Sequence, residues 1–247
     1  MNHHTLAAIS ITGSCLDVLG SLYLAYDLLG GQQGPLRVIT RAATYSIIFG
    51  LGYGLGLGLV FGLACGVATG ATVAVEFTRA GRGQEHLSLR WEALFAFLRS
   101  FAFSFGLYRI VGLQFAFVYG LLLTLGQIFA YSRGMRPALD YSAKRKPRFT
   151  LPLFWGTVVR TVGYIVAALI CGTMVRHIDH VWWFALRLGL VTGLVTGVGV
   201  ALSPYVEYQA DNMPERRMGV FGIGLMLCGF ALQSVQYWLV LFDVPVR

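Results

Sequence analysis

Between Ala42 and Val75 the chain runs for 34 residues without a charge, and glycine occupies every fourth position at Gly50, Gly54, Gly58, Gly62, Gly66 and Gly70. Residues four apart share a helix face, so these glycines draw one bare stripe along about five turns. In water each interior glycine would cost such a helix about 1 kcal/mol against alanine. In lipid the backbone must hydrogen-bond to itself, and the helix survives. The stripe therefore predicts a glycine-zipper helix in a membrane, with a face shaped for close approach by another helix.

Composition agrees with that setting. The chain is 56% hydrophobic and 12% charged, with a mean hydropathy of +0.67. These values predict an all-α, polytopic transmembrane bundle forming a single membrane domain over residues 1–247. The longest polar stretch, Ser132 to Thr150, is too short to be a soluble domain. A net charge of +8 would suggest nucleic acid in a soluble protein, but most of the arginines and lysines flank apolar runs, as the positive-inside bias produces. With no aromatic-interleaved basic patch, nucleic acid is not an expected partner. Membrane lipid is. No Lys or Arg precedes the first apolar segment and no clear cleavage site closes it, so the first helix is expected to be retained. Cys15, Cys65, Cys171 and Cys228 sit in apolar runs without CxxC spacing and read as small buried hydrophobes.

Six apolar segments follow in order: Leu6 to Leu29, the glycine run, Ser100 to Tyr131, Leu151 to Val175, Val181 to Tyr208 and Met218 to Phe242. As one straight helix the glycine run would measure about 51 Å against a hydrocarbon core of about 30 Å. Tilt alone does not absorb that excess. The run must bend, break near Gly50 to Gly58, or lie partly inside protein. The third segment is also over-long, with Leu87 to Arg99 expected as an interfacial lead-in and Trp91 at headgroup level. Splitting both segments raises the count from six spans to seven or eight.

A shift of 131 residues aligns Leu55–Glu76 with Leu186–Glu207, with 11 of 22 positions identical. Gly58, Gly62 and Gly66 fall on Gly189, Gly193 and Gly197, and Glu76 falls on Glu207. This points to a duplication with halves 6–131 and 151–243 joined by the basic loop 132–150. Three crossings per half would make it a 3+3 inverted repeat. In a six-span arrangement Arg37, Arg41, six basic residues of the central loop, Arg216 and Arg217 place ten charges on one face. Arg79, Arg82, Arg90, Arg176 and Arg247 place five on the other. Loop 132–150 is then cytoplasmic in a bacterial inner membrane or its equivalent, and eight spans would fit the charge bias better still.

Charged side chains within or bordering the spans mark candidate chemistry, because charge is costly in a bilayer. Asp17 is the deepest carboxylate. Gly13, Gly20 and Ser21 lie three or four residues away, which places it on the packing face. Arg109, Arg160 and Arg187 are its candidate counter-charges or anion contacts. Glu76 and Glu207 end the two glycine-rich helices and would suit paired gates or proton-accessible sites, or simple interfacial exposure. His177, Asp179 and His180 offer a short His-x-x-His without a third ligand nearby, so no metal site and no cofactor are expected. No nucleophile and base pair, phosphate loop or zinc-protease motif is present, so enzymatic activity is not expected either. The sequence thus favours a small transport or channel protein with a polar site near the bilayer midplane. The alternative is a non-catalytic anchor or subunit whose glycine seam docks a partner helix or a second copy.

Overall fold

The computed structural model describes residues 3–29, 36–80, 89–132, 151–173 and 181–241, which form eight helices and no strand among them. They are α1 (His3–Leu28), α2 (Arg37–Leu57), α3 (Leu59–Ala80), α4 (Leu89–Val111), α5 (Leu113–Ser132), α6 (Leu151–Gly172), α7 (Val181–Asn212) and α8 (Glu215–Leu241). Four contain stretches long and apolar enough to cross a membrane: Thr5–Tyr26, Leu59–Arg79, Trp182–Gly199 and Arg217–Leu239. The chain is a helical membrane protein by this criterion, and its surface is apolar as lipid requires. Leu55, Leu63, Val67, Phe117 and Leu125 are all more than half exposed, a surface that would be a liability in water.

The glycine run does not form one helix. It breaks at Gly58, whose φ of 115° lies where a side chain is rarely tolerated, and the chain folds back there. Gly62 sits against Gly50 and Gly54, and Gly66 against Gly50 and Ser46, so α2 and α3 are an antiparallel hairpin joined by a single residue. The turn leaves few backbone groups orphaned: Gly58 donates its N–H to Gly54 O at 3.0 Å, and Gly62 donates to Gly58 O at 3.1 Å. The second over-long segment is resolved in the same way at Gly112, with φ of 87°. Gly112 N donates to Tyr108 O at 3.0 Å, and α4 and α5 fold onto one another so that Gly120 meets Ser104 and Phe103 stacks near Tyr119. Leu89 to Arg99 belongs to α4 and is no separate lead-in.

The helices fall into two compact units. The first comprises residues 1–44 and 210–247 and is built on α1 and α8. These two pack antiparallel through glycine pairs, Gly13 on Gly229 and Gly20 on Gly222, with Tyr23 edge-on to Phe221 at 5.5 Å. Arg41 is 1% exposed in this unit, beside buried Thr40 and Thr44. It is not the headgroup charge that its position before an apolar run suggested.

The second unit, residues 45–209, is a closed ring of six helices. α2 packs on α3, α3 on α4 through Phe61 and Gly106, α4 on α5, and α5 on α6 through Gln127 and Tyr164. α6 meets α7 where Gly189 lies on Ile165 and Gly193 on Thr161. The ring closes where Val191 and Val195 of α7 fill the space beside Gly56 and Gly52 of α2. Neighbours run antiparallel throughout. Gly58 and Gly112 therefore turn at one end of this ring, while α3 ends, α4 begins, α5 ends and α6 begins at the other. That places Arg79 and Arg90 at the same end as Ser132 and Leu151, whereas the six-span charge count puts them on opposite faces. The physical reason is the pair of glycine turns, each of which adds a reversal to the chain.

The two stretches aligned by the 131-residue shift are helical from Leu59 and Leu190 onward but differ at their start. Gly58 is a turn, whereas Gly189 lies inside α7. Loop 132–150 beyond Ser132, and the His177, Asp179 and His180 group, lie outside the described residues.

Candidate functional site

The ring of the second unit encloses a cavity of about 70 Å³, and all six helices contribute side chains to its wall. α2 gives Phe49 and Tyr53, α3 gives Cys65 and Thr69, and α4 gives Arg99, Ser100 and Phe103. Leu123 and Gln127 come from α5, Tyr164 from α6, and Thr192 and Thr196 from α7. Thr69, Ser100 and Leu123 lie close to the midpoints of their helices, so the cavity is at mid-depth. A volume of this size holds several waters or one small solute.

Its polar groups are mostly uncharged and paired along the wall. The Tyr53 and Thr196 hydroxyls are 2.7 Å apart, and Gln127 Nε2 donates to Tyr164 Oη at 3.2 Å. Thr192 Oγ1 donates to the Leu188 carbonyl one turn back at 2.7 Å, which satisfies its hydrogen and turns its lone pairs outward. Ser100 differs from these. It is 2% exposed, and its Oγ has no hydrogen-bond partner among the described residues. A buried hydroxyl without a partner costs about 1 to 3 kcal/mol, so its position on the cavity wall is chemically significant.

Arg99 is the one cation among the described residues of the wall. Its Nε donates to the Phe95 carbonyl at 3.3 Å, and its Nη2 stands 3.7 Å from Glu76 Oε1. That separation is long for a charge-assisted bond, which closes to about 2.7 to 2.9 Å. Glu76 lies nearer the end of α3 than the cavity does, so the pair sits on the side of the cavity toward the α3–α4 end. Further out, the Arg79 guanidinium covers the Trp91 ring at 3.7 Å. Trp91 and Trp155 mark this end of the ring, and Trp182 and Trp183 mark the other, all of them exposed as interfacial tryptophans are.

The residues singled out from sequence are not gathered in one place. Asp17 is in the first unit, half-buried between Gly13 and Gly20 against α8, and Gln233 Nε2 donates to its Oδ2 at 2.5 Å. Gly229 leaves the space into which Asp17 Oδ1 projects, and that oxygen has no donor among the described residues. Arg187 is exposed and donates to the Gly56 carbonyl at 3.0 Å, next to the Gly58 turn. The side chains of Arg109, Arg160 and Glu207 lie outside the described residues. Of the glycines, Gly62, Gly66, Gly70, Gly189, Gly193 and Gly197 are buried.

Sequence reading by charge passed over the hydroxyl and amide groups of the cavity. A signal for some of them was present. Thr192 and Thr196 are one turn apart on α7 and alternate with Gly189, Gly193 and Gly197, which puts a polar stripe beside a packing stripe. Comparison of the chain with protein-family models, with curated proteins and with solved structures finds no match, so the functional reading rests on this geometry.

Proposed function

We propose that this is a small integral membrane transport or channel protein whose polar site is the mid-depth cavity of the six-helix ring. The observation that carries the reading is the convergence of side chains from every helix of the ring on one small space, where hydroxyl, amide and guanidinium groups are set in a wall that is otherwise mostly apolar. A ring that only filled itself would gain more from apolar side chains, since each buried polar group needs a partner. Transporter sites lie near the midplane between packed helices, where polar groups line water rather than lipid. In this reading six helices of the ring cross the bilayer together with α1 and α8, the Glu76–Arg99 pair closes the cavity toward the α3–α4 end, and Asp17 with Gln233 locks α1 to α8. α3 and α7, the helices that the 131-residue shift aligns, run in the same direction in the ring, so a repeat relating them would be parallel rather than the inverted 3+3 arrangement expected from the sequence. The rival reading, an anchor that docks a partner helix on its glycine seam, gains no support from glycines that already pack on this chain's own helices.

Ser100→Cys and Thr196→Cys test the proposal in reconstituted vesicles. A small water-soluble methanethiosulfonate should reach both from at least one side, and Thr192→Trp should block that access and any solute-driven swelling of the vesicles. Cysteines that stay unmodified from both sides of a folded protein would sink the reading.

A further inference from the structure

We infer that the cavity is a binding site for a small monoanion with a carboxylate head, held by Arg99 and Ser100; the inference rests on the transport reading above and names its substrate class. The cavity is graded along its axis. Ser100 is at mid-depth, with Arg99 one residue toward the start of α4 and Gln127 further toward that end, whereas Tyr53, Phe103 and Cys65 lie toward the Gly58 and Gly112 turns. From mid-depth toward the start of α4 the wall therefore offers hydrogen-bond donors, while toward the turns it offers mainly aromatic surface, where the Tyr53 and Thr196 hydroxyls bond to each other.

The donor end has the chemistry of an oxyanion site. Arg99 brings a guanidinium whose planar fork matches a carboxylate. Ser100 Oγ, buried and without a partner among the described residues, is one residue along the same helix and can donate its proton to the same ligand. Gln127 uses one N–H on Tyr164 and retains a second. The aromatic end suits a short aliphatic tail of two or three carbons, in keeping with a cavity of about 70 Å³. A cation is disfavoured because Arg99 is in the wall.

Glu76 is the competitor built into the chain. Its carboxylate stands 3.7 Å from Arg99, long enough that a ligand carboxylate in direct contact would be the better partner. An incoming anion therefore exchanges with Glu76 for the guanidinium, so occupancy of the site and the state of the pair at its mouth are linked.

Binding of radiolabelled acetate and propionate to the detergent-solubilised full chain, at fixed pH and ionic strength, tests the site. Saturable binding is expected, weakened about tenfold or more by Arg99→Gln and several-fold by Ser100→Ala, as loss of hydrogen bonds to a charged ligand requires. Glu76→Gln should tighten it several-fold. Because Arg99→Gln could disturb the ring, size-exclusion profiles accompany each variant, and the milder Ser100→Ala carries the test alone if Arg99→Gln does not fold. The inference is overturned if neither the wild type nor Glu76→Gln binds acetate or propionate saturably. It is equally overturned if acetamide competes as well as acetate does, if chloride binds in preference to carboxylates, or if folded Arg99→Gln retains full affinity. Cysteine accessibility of the cavity together with absence of anion binding would overturn the substrate class and leave the transport reading standing. Anion binding in a cavity that never opens to either side would do the reverse.

Discussion

Alanine substitutions along the α2–α3 hairpin separate three physical effects at three glycines of one stripe. A Cβ on Gly62 would lie 2.5 Å from Gly50 O, 2.7 Å from Gly54 Cα and 3.0 Å from Gly54 N. All three are backbone atoms of the facing helix, so no side chain can rotate away. Restoring an ordinary separation of 3.4 Å requires the helices to part by about 0.9 Å at this point. Opening a packed interface by that amount costs about 1 to 3 kcal/mol, which in a chain of this size lowers the melting temperature by roughly 2 to 10 °C. Gly54→Ala is the control on the opposite wall. Its Cβ would find nothing closer than 3.6 Å, an ordinary contact, so the variant should melt like the parent or slightly higher. Gly58→Ala meets nothing within 4 Å, yet its φ of 115° strains any side chain, with a cost on the order of 1 to 3 kcal/mol that no repacking relieves. Thermal unfolding in detergent, followed by tryptophan fluorescence, should rank parent and Gly54→Ala above Gly62→Ala and Gly58→Ala. Equal melting of Gly62→Ala and Gly54→Ala would refute the argument that α2 and α3 touch backbone to backbone.

Two further outcomes follow from the same geometry. Single cysteines at Arg90 and Ser132, exposed at the same end of the ring, should be labelled from the same side of the membrane, the cytoplasmic one if the positive-inside bias holds; labelling from opposite sides would mean that the Gly58 and Gly112 reversals are absent. In the α1–α8 pair, Asp17→Asn keeps an oxygen for the Gln233 amide and should melt close to the parent, whereas Gln233→Leu removes the donor and should lose about 1 to 3 kcal/mol; a large loss for Asp17→Asn with none for Gln233→Leu would show that the amide is not what holds Asp17.

What the sequence made legible is what depends on local periodicity and on length. An uncharged run too long for one span required an interruption, and the densest glycines marked where it falls. The same length argument flagged the third segment, but Gly112 is a lone glycine, and nothing in its neighbours separates it from Gly106 or Gly120, which pack inside helices. Whether a glycine turns or packs is decided by the helix it faces. Gly120 has Ser104 against it, whereas Gly112 has nothing within 4 Å, as Gly126 and Gly163 do inside their helices, and is set apart by its φ of 87°. That information is tertiary, and so the two loops at the α3–α4 end could not be placed together from the charge pattern alone.

The cavity escaped notice for a reason that lies in the energetics of hydroxyls. Charge is conspicuous in an apolar sequence because it is expensive there, so a search by charge finds Asp17, Arg187 and Glu76, of which the first holds a helix pair, the second caps a carbonyl at Gly56 and the third alone stands by the cavity, beside Arg99. Threonine and serine cost little in the same setting, since each can return its hydrogen to its own helix, as Thr192 does to Leu188 and Ser104 does to Ser100. Their outward lone pairs then face whatever the fold puts opposite. In this ring Tyr53, 143 residues away in sequence, is what meets Thr196, a pairing that no local pattern announces. Ser100 breaks the rule that makes its neighbours inexpensive, because its hydroxyl has no partner among the described residues, and that exception appears only in the folded ring. A site assembled from such residues owes its make-up to the positions of the helices, with Arg99 the one full charge among the described residues of the wall and Glu76 standing 3.7 Å from it.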